Sequence, residues 1–305
     1  MIWPGNKKFA FTIFDDPDSQ DERESRLVYS FLADLGFRTT KAVWPMGPLR
    51  ATNSPGTTCA DPLFRAHCQE LQRAGFEIGF HNAMPHSCTR EETIEALDLF
   101  RQYFGHDPVT MANHYNAEAM YWGPARLDGI HRQIYNLSTF GRTRNRHFGQ
   151  IRGHPSFWGD ICRQRIRYCR NFVFPDINTL GPLPSMPYYD PQRPYVRAWY
   201  TATDGHDCEQ FLKAITEERQ DQLEASGGAC IMYTHFGHGF VEDGKLNADF
   251  QRLMERLAAK HGYCVPTRTL LEHLENTRGL TTLSGWQRFE LQSRWLWGKL
   301  FLGTT

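Results

Sequence analysis

The stretch Phe9-Ala10-Phe11-Thr12-Ile13-Phe14-Asp15-Asp16-Pro17-Asp18 decides how this chain folds. Its apolar and β-prone residues run without interruption into two adjacent carboxylates, which is typical of a strand buried on both faces. Asp15 and Asp16 would then lie at the carboxyl end of a parallel strand, the edge where α/β enzymes carry their chemistry. Two neighbouring acids need a cation, a proton or strong hydrogen bonds. The alternative is that both acids simply cap a helix predicted from Asp21 to Leu35.

Strand and helix patterns alternate along the rest of the chain. Further strands are predicted at residues 38–43, 77–81, 109–112, 171–174, 195–201, 229–234 and 263–265. Helices are predicted between them, at residues 62–74, 90–104, 124–135, 207–223, 247–261 and 267–275. This alternation predicts an α/β protein with a parallel sheet that is closed or nearly closed. Residues 1–276 would form this domain.

The C-terminal segment 277–305 is an aromatic and basic tail. Within it, residues 283–302 carry tryptophans, phenylalanines and leucines among arginines and a lysine. Because the aromatic residues do not form one clean stripe, we expect a helix that docks on the domain or on a second subunit. The alternative is an amphipathic helix that lies peripherally on a membrane.

Composition excludes several classes of partner. The 305 residues contain 34 Lys plus Arg and 34 Asp plus Glu, so the formal charge is zero and no nucleic acid partner is indicated. No apolar window reaches the length of a transmembrane helix, and residues 1–8 lack the pattern of a signal peptide. The eight cysteines form no CxxC pair, which favours reduced thiols and a cytoplasmic location.

Several predicted strands end in a side chain that can bind a metal or move a proton. These residues are Asp15, Asp16, His81, His86, His114, Asp176 and His235. Each alone is unremarkable in a protein, but the carboxyl ends of parallel strands meet at one edge of a sheet, so these side chains are expected to converge. One carboxylate and two imidazoles suit zinc and related divalent ions. A second acid could then accept a proton from water, and a histidine could protonate a leaving group.

Three motifs resemble the polysaccharide deacetylases, the NodB-like carbohydrate esterases. Thr12-Ile13-Phe14-Asp15-Asp16 resembles their TFDD motif, and Glu77-Ile78-Gly79-Phe80-His81 resembles the start of their two-histidine metal motif. Ile231-Met232-Tyr233-Thr234-His235 resembles their late strand that ends in a catalytic histidine. The resemblance covers residues 9–240. It implies a distorted (β/α) barrel of about seven to eight parallel strands.

The resemblance also implies a role for each matching residue. Asp15 would be the general base and His235 the general acid, whereas Asp16, His81 and His86 would bind one divalent metal ion. Zinc is the expected ion, with cobalt, manganese and nickel as alternatives. The implied reaction removes an N-acetyl group from an amino sugar and yields acetate.

Two departures from the family pattern affect the site. His81 and His86 are five residues apart, whereas the family's two histidines are four apart, so His114 is the alternative third ligand. The Arg-x-Pro motif is missing after the fourth strand, where Asn113 and His114 stand instead. His114 is expected to replace the missing cation. Asn113 and Asp176 are predicted as supporting residues.

The implied partner is an N-acetylated sugar or glycan precursor. The divergent motifs most resemble deacetylase-like proteins of bacterial surface-polysaccharide clusters, such as those for O-antigen. A non-catalytic relative that binds a glycan or an assembly protein is the first alternative, because the Arg motif is missing. A phosphatase is the second alternative, since Asp16-Pro17-Asp18-Ser19 faintly resembles an Asp-x-Asp nucleophile motif. It would leave His81, His86 and His235 without a role.

Overall fold

The computed structural model describes residues 3–52 and 54–303. The strands in these ranges are β1 (Ala10–Asp15), β2 (Thr40–Val43), β3 (Glu77–Phe80), β4 (Thr110–Met111), β5 (Tyr168–Phe174), β6 (Tyr188–Tyr189), β7 (Ala198–Asp204), β8 (Ala229–Thr234), β9 (Val241–Glu242), β10 (Lys245–Leu246), β11 (Tyr263–Cys264) and β12 (Thr281–Thr282). Strands β1, β2, β3, β4, β5, β7 and β8 pair in that order, all parallel, and β8 pairs back onto β1. The predicted barrel is therefore confirmed as a closed barrel of seven parallel strands.

Helices surround the barrel. They are α1 (Glu22–Asp34), α2 (Pro62–Arg73), α3 (Arg90–Phe104), α4 (Gly129–Ser138), α5 (Gly159–Arg165), α6 (Cys208–Ala214), α7 (Glu217–Ser226), α8 (Ala248–Ala259), α9 (Thr267–Arg278) and α10 (Gly285–Phe301). Side chains next to the N-termini of several helices cap them. The Asp21 side chain accepts a hydrogen bond from the Glu24 N–H, so Asp21, not Asp15 or Asp16, caps α1. Thr89 and Glu92 form the predicted capping box of α3.

The side chains of β1 alternate between the barrel interior and the helix layer. Phe14 packs against Tyr200 of β7, with ring centroids 6.2 Å apart, across the interior. Phe11 packs edge-on against Phe37, which follows α1, on the outer side. Asp15 shares the parity of Phe11, and Asp16 shares that of Phe14. This alternation separates the two adjacent carboxylates.

Several boundaries differ from the sequence-based expectation, and two of them have a local reason. The strand expected at 171–174 begins at Tyr168. The prediction missed its first three residues because a buried arginine, Arg170, is atypical of a strand. The helix expected at 207–223 is two helices, because α6 ends at Ala214 and the Thr216 side chain caps the start of α7. Short elements that were not predicted include α5 and the β9–β10 hairpin.

The C-terminal helix α10 packs on α4 and β5. Leu291, Trp295 and Leu296 are buried on this face, whereas Trp286 and Trp297 are exposed. The helix therefore lies against the barrel and reaches its site-bearing side, as shown below. None of the helices in residues 3–52 and 54–303 has the length and apolar character that crossing a bilayer requires.

Candidate functional site

Asp15 is enclosed on the outer side of β1. Its Oδ2 accepts hydrogen bonds from the Tyr29 hydroxyl at 3.0 Å and from Lys41 Nζ at 2.8 Å, and its Oδ1 accepts one from the Phe236 N–H at 2.9 Å. Burial raises the pKa of Asp15 although the Lys41 charge opposes this. The carboxylate joins β1 to α1, β2 and the segment after β8. Both of its oxygens accept hydrogen bonds from the protein, and Asp15 is not among the residues that line the cavity described below.

Asp16 extends into the barrel and meets an arginine there. Arg170 of β5 donates two hydrogen bonds to it, at 3.1 and 2.6 Å, and both side chains are buried. Burial alone would raise the pKa of Asp16, but the Arg170 and His81 charges hold that pKa well below its usual range. Arg170 thus provides a bidentate cation at a position where the sequence pattern offered none. The predicted strand started one residue too late to include it.

Asp18, His81 and His114 form a group that could hold a metal ion. One ligand atom from each lies within 4.8 Å of the others. His81 Nε2 is 3.5 Å from Asp18 Oδ2 and 3.5 Å from Asp16 Oδ2. His81 follows β3 and His114 follows β4, so both project from strand ends as predicted.

Three polar atoms of this group are buried without a hydrogen-bond partner. Both ring nitrogens of His81 and Oδ2 of Asp18 have no hydrogen bond. Leaving such atoms unpaired in the interior is costly, so a missing partner is indicated. Burial and the His81 charge lower the pKa of His114 to about 3, which keeps its imidazole neutral and able to coordinate. A carboxylate and two imidazoles fit a divalent cation such as zinc.

His86 lies outside this group. Its Nε2 accepts a hydrogen bond from the Leu49 N–H at 3.1 Å, and its Nδ1 is 3.0 Å from the Ser87 carbonyl oxygen, to which it donates. Because both ring nitrogens are used by the backbone, His86 has no lone pair for a metal in this conformation. The described residues that could together hold an ion are therefore Asp18, His81 and His114, and this group contains neither Asp16 nor His86.

The two predicted supporting residues have different positions. The side-chain amide of Asn113 exchanges two hydrogen bonds with the backbone of Met120, at 3.0 and 2.8 Å, and so fixes the loop that carries His114. Asp176 is partly exposed and pairs with Arg294 at 3.2 Å. It lines a separate cavity of about 610 Å³ that contains none of the metal-binding candidates.

His235 follows β8 and faces Asp18. Its Nδ1 donates a hydrogen bond to the His206 carbonyl oxygen at 2.6 Å, which leaves Nε2 directed at Asp18 Oδ2, 3.5 Å away. A cavity of about 470 Å³ opens here, and Asp18, His114, Arg170 and His235 contribute to its lining. This volume is in the range of small-molecule sites.

Asp18 and Arg170 are the residues that sequence reasoning missed. Asp18 belongs to the opening stretch, but its neighbours Asp15 and Asp16 were given the two carboxylate roles. The period-2 alternation of β1 already indicated that only one of them could face the interior. The requirement for a cation beside paired acids was the other available signal, and Lys41 and Arg170 meet it, one on each side of the strand.

Comparison with solved structures identifies the fold. A putative polysaccharide deacetylase from Mycobacterium smegmatis aligns with a TM-score of 0.51 and 12% identity, over 93% of this chain and 96% of that one. The chain has the polysaccharide deacetylase fold. PuuE allantoinase aligns with a TM-score of 0.55 and 13% identity, over 92% of this chain and 94% of that one. A putative polysaccharide deacetylase involved in O-antigen biosynthesis, from Bordetella bronchiseptica, gives a TM-score of 0.37 at 14% identity, over 90% and 93%. Neither a family model nor a curated protein sequence matches this chain.

Proposed function

We propose that this protein is a metal-dependent hydrolase that removes an N-acetyl group from an amino sugar. The observation that carries the proposal is the group of unpartnered ligand atoms on Asp18 and His81. His81 Nε2 lies 3.5 Å from Oδ2 of the ionised Asp16, and Asp18 Oδ2 lies 3.5 Å from His235 Nε2. Asp18 and His235 line the same cavity. The deacetylase fold and the motif resemblance support the same reaction class.

Asp18, His81 and His114 would hold the divalent ion, with zinc as the expected metal. A bound ion at this position supplies Lewis acidity toward the acyl oxygen and toward water. Asp16 borders the ligand group, because His81 Nε2 is equally distant from both carboxylates. This proposal replaces the sequence-based assignment of Asp16 as a ligand and Asp15 as the base.

The proposed roles of Asp16 and His235 in proton transfer follow from the hydrogen bonds that hold each side chain. Arg170 keeps Asp16 ionised and fixes its plane through two hydrogen bonds, so Asp16 can accept the proton of an attacking water. His235 is anchored through Nδ1, so Nε2 is the nitrogen that can donate a proton to the departing amine. The water and the amide then yield acetate and a free amino sugar.

We infer that the substrate is an N-acetylated sugar within a precursor of a bacterial surface polysaccharide, such as O-antigen. The cavity has the size of a small-ligand site, which favours a short glycan unit over a long polymer lying in an open groove. The motif resemblance to deacetylase-like proteins of surface-polysaccharide clusters supports a role in the biosynthesis of such a polysaccharide.

The test is acetate release from N-acetylglucosamine and its short oligosaccharides by the zinc-loaded and the chelator-treated protein. We expect release only with metal, and a fall in kcat of about 10²–10⁴-fold in Asp16→Asn, because the general base is lost. Asp16→Asn should still bind metal. Asp176→Asn is the matched control, since this acid lies in the other cavity, and it should keep wild-type kcat.

Two results would contradict the proposal. Metal-free protein with full activity would exclude the ligand group from the reaction. Hydrolysis of allantoin, with no acetate from any N-acetylated sugar, would replace the glycan by a small cyclic amide.

A further inference from the structure

Among the described residues, one buried cation in the candidate site has no carboxylate partner. Three arginines are buried in the described ranges: Arg126, Arg170 and Arg193. Arg170 pairs with Asp16, and Arg193 pairs with Asp190 at 2.5 Å and with Asp128 at 2.9 Å. Within residues 3–52 and 54–303, no carboxylate pairs with Arg126, although only 3% of its surface is exposed. Burying a guanidinium unpaired is costly, so a partner is missing.

Aromatic rings hold the Arg126 guanidinium in place without using its donors. Its carbon lies 3.9 Å from the ring centroid of Trp122, 5.1 Å from that of Trp295 and 5.8 Å from that of Phe172. Such stacking covers the faces of the guanidinium, whereas its N–H donors project from the edge in the plane. Nε of Arg126 is buried and has no hydrogen-bond partner. The stacking therefore orients the group and leaves its donors available.

Arg126 lines the same cavity as Asp18 and His235. Lys299 of α10 lines it as well, and the Arg126 charge, after burial, lowers the pKa of Lys299, with Asp204 opposing this. Burial lowers the pKa of Arg126 to about 10, so it keeps its charge at neutral pH. Two cations in the lining of one cavity make it more suitable for an anionic ligand.

We propose that Arg126, assisted by Lys299, binds an oxyanion of the substrate, so that this site takes an anionic N-acetylated sugar in preference to a neutral one. The oxyanion is a phosphate or a carboxylate attached to the sugar, because the forked donors of arginine match both groups. The sugar part of this statement rests on the proposed function. The requirement for an anion rests on Arg126 alone.

The experiment measures binding to the zinc-loaded, full-length protein by calorimetry. The three probes are N-acetylglucosamine, which is neutral, N-acetylglucosamine 1-phosphate and N-acetylmuramic acid, which carries a carboxylate. In the wild type we expect at least one anionic sugar to bind about ten- to hundredfold more tightly than the neutral one. The anionic sugar that binds more tightly identifies phosphate or carboxylate as the recognised group.

Variants test whether Arg126 causes the preference. Arg126→Met should reduce it to about twofold or less, and Arg126→Lys should retain part of it, because the charge is kept but the fork is lost. Arg146→Met is the matched control: Arg146 is exposed in the loop after α4 and does not line the cavity, so the preference should be unchanged. If Arg126→Met does not fold, Arg126→Lys and the wild-type comparison still decide.

Equal binding of all three sugars, failure of both anionic sugars to bind at millimolar concentration, or an unchanged preference in Arg126→Met would overturn the inference. Acetate release is measured on the same samples. A preference that depends on Arg126 without acetate release would sustain the inference and contradict the proposed hydrolase. Acetate release from neutral and anionic sugars alike would support the proposed hydrolase and contradict the inference of an anionic substrate.

Discussion

Two groups of polar residues lie on opposite sides of β1. The outer cluster is Asp15, Tyr29, Lys41 and His67, and the inner cluster is Asp16, Asp18, His81, His114 and Arg170. In the outer cluster, every oxygen of Asp15 has a donor within 3.0 Å. In the inner cluster, Asp18 Oδ2 and both nitrogens of His81 have no hydrogen-bond partner.

The difference shows that adjacent carboxylates can have unrelated roles. Asp15 and Asp16 are neighbours in sequence and both are fully buried. One is saturated by protein donors and connects structural elements, whereas the other has a single bidentate partner and borders unpaired ligand atoms. Unsatisfied buried polar atoms are rare where they have no function, so the inner cluster is the candidate for chemistry.

The largest expected effect concerns metal binding by the inner cluster. Asp18→Ala or His114→Ala should lower zinc affinity by more than about 100-fold, because a direct ligand is lost, and changes around a metal site already cost 10–100-fold. His86→Gln should keep stoichiometric zinc, since its ring nitrogens bond to the backbone. Elemental analysis after dialysis measures both. Zinc retained in Asp18→Ala and lost in His86→Gln would restore the ligand set predicted from sequence.

A smaller effect is expected in the outer cluster, and it should appear in stability. Asp15→Asn leaves the Lys41 ammonium as an uncompensated buried charge, so the free energy of unfolding should fall by about 3–5 kcal/mol. Urea denaturation measures this fall, and zinc content should not change.

The double variant Asp15→Asn/Lys41→Met serves as the control for that prediction. It removes both charges and should recover part of the lost stability, because the two residues are coupled. If Asp15→Asn were as stable as the wild type and released no acetate, Asp15 would be the general base after all.

The smallest expected effect is a pH dependence in the outer cluster. His67 contacts the Ser25 hydroxyl through Nε2 at 3.0 Å, and its ring lies 6.4 Å from that of Tyr29. Burial first, then the Arg26 and Lys41 charges, lower the pKa of His67 to about 4 from 6.5. Between these values the unfolded chain binds more protons than the folded one, so stability should fall as the pH drops from about 6.5 to about 4.

His67→Gln should flatten this slope in urea midpoints of the metal-free protein recorded between those pH values. Gln keeps a hydrogen-bonding group near Ser25 but cannot titrate in this range. An equal slope in the variant and the wild type would assign the acid sensitivity to another group.

Much of the fold could be predicted from the sequence because its signals are local. The apolar run Phe9–Phe14, the capping box at Thr89 and the alternation of strands and helices each depend on neighbouring residues. The same alternation placed His81, His114 and His235 at strand ends. Where local signals were weak, as at Tyr168 to Arg170, the predicted boundary was late by three residues, because a buried arginine is atypical of a strand.

The sequence by itself determined the parallel barrel and the histidines at its edge, since hydrophobic periodicity and the strand–helix alternation depend on neighbouring residues. The tertiary structure alone decided which of three close acids faces Arg170, which faces the histidines and which is closed off by Lys41. It also brought Arg126 and α10 to the same cavity. These outcomes depend on contacts between residues distant in sequence, which are 26 positions apart for Asp15 with Lys41 and 154 for Asp16 with Arg170. Such long-range pairing of charges has no local signature in a single sequence.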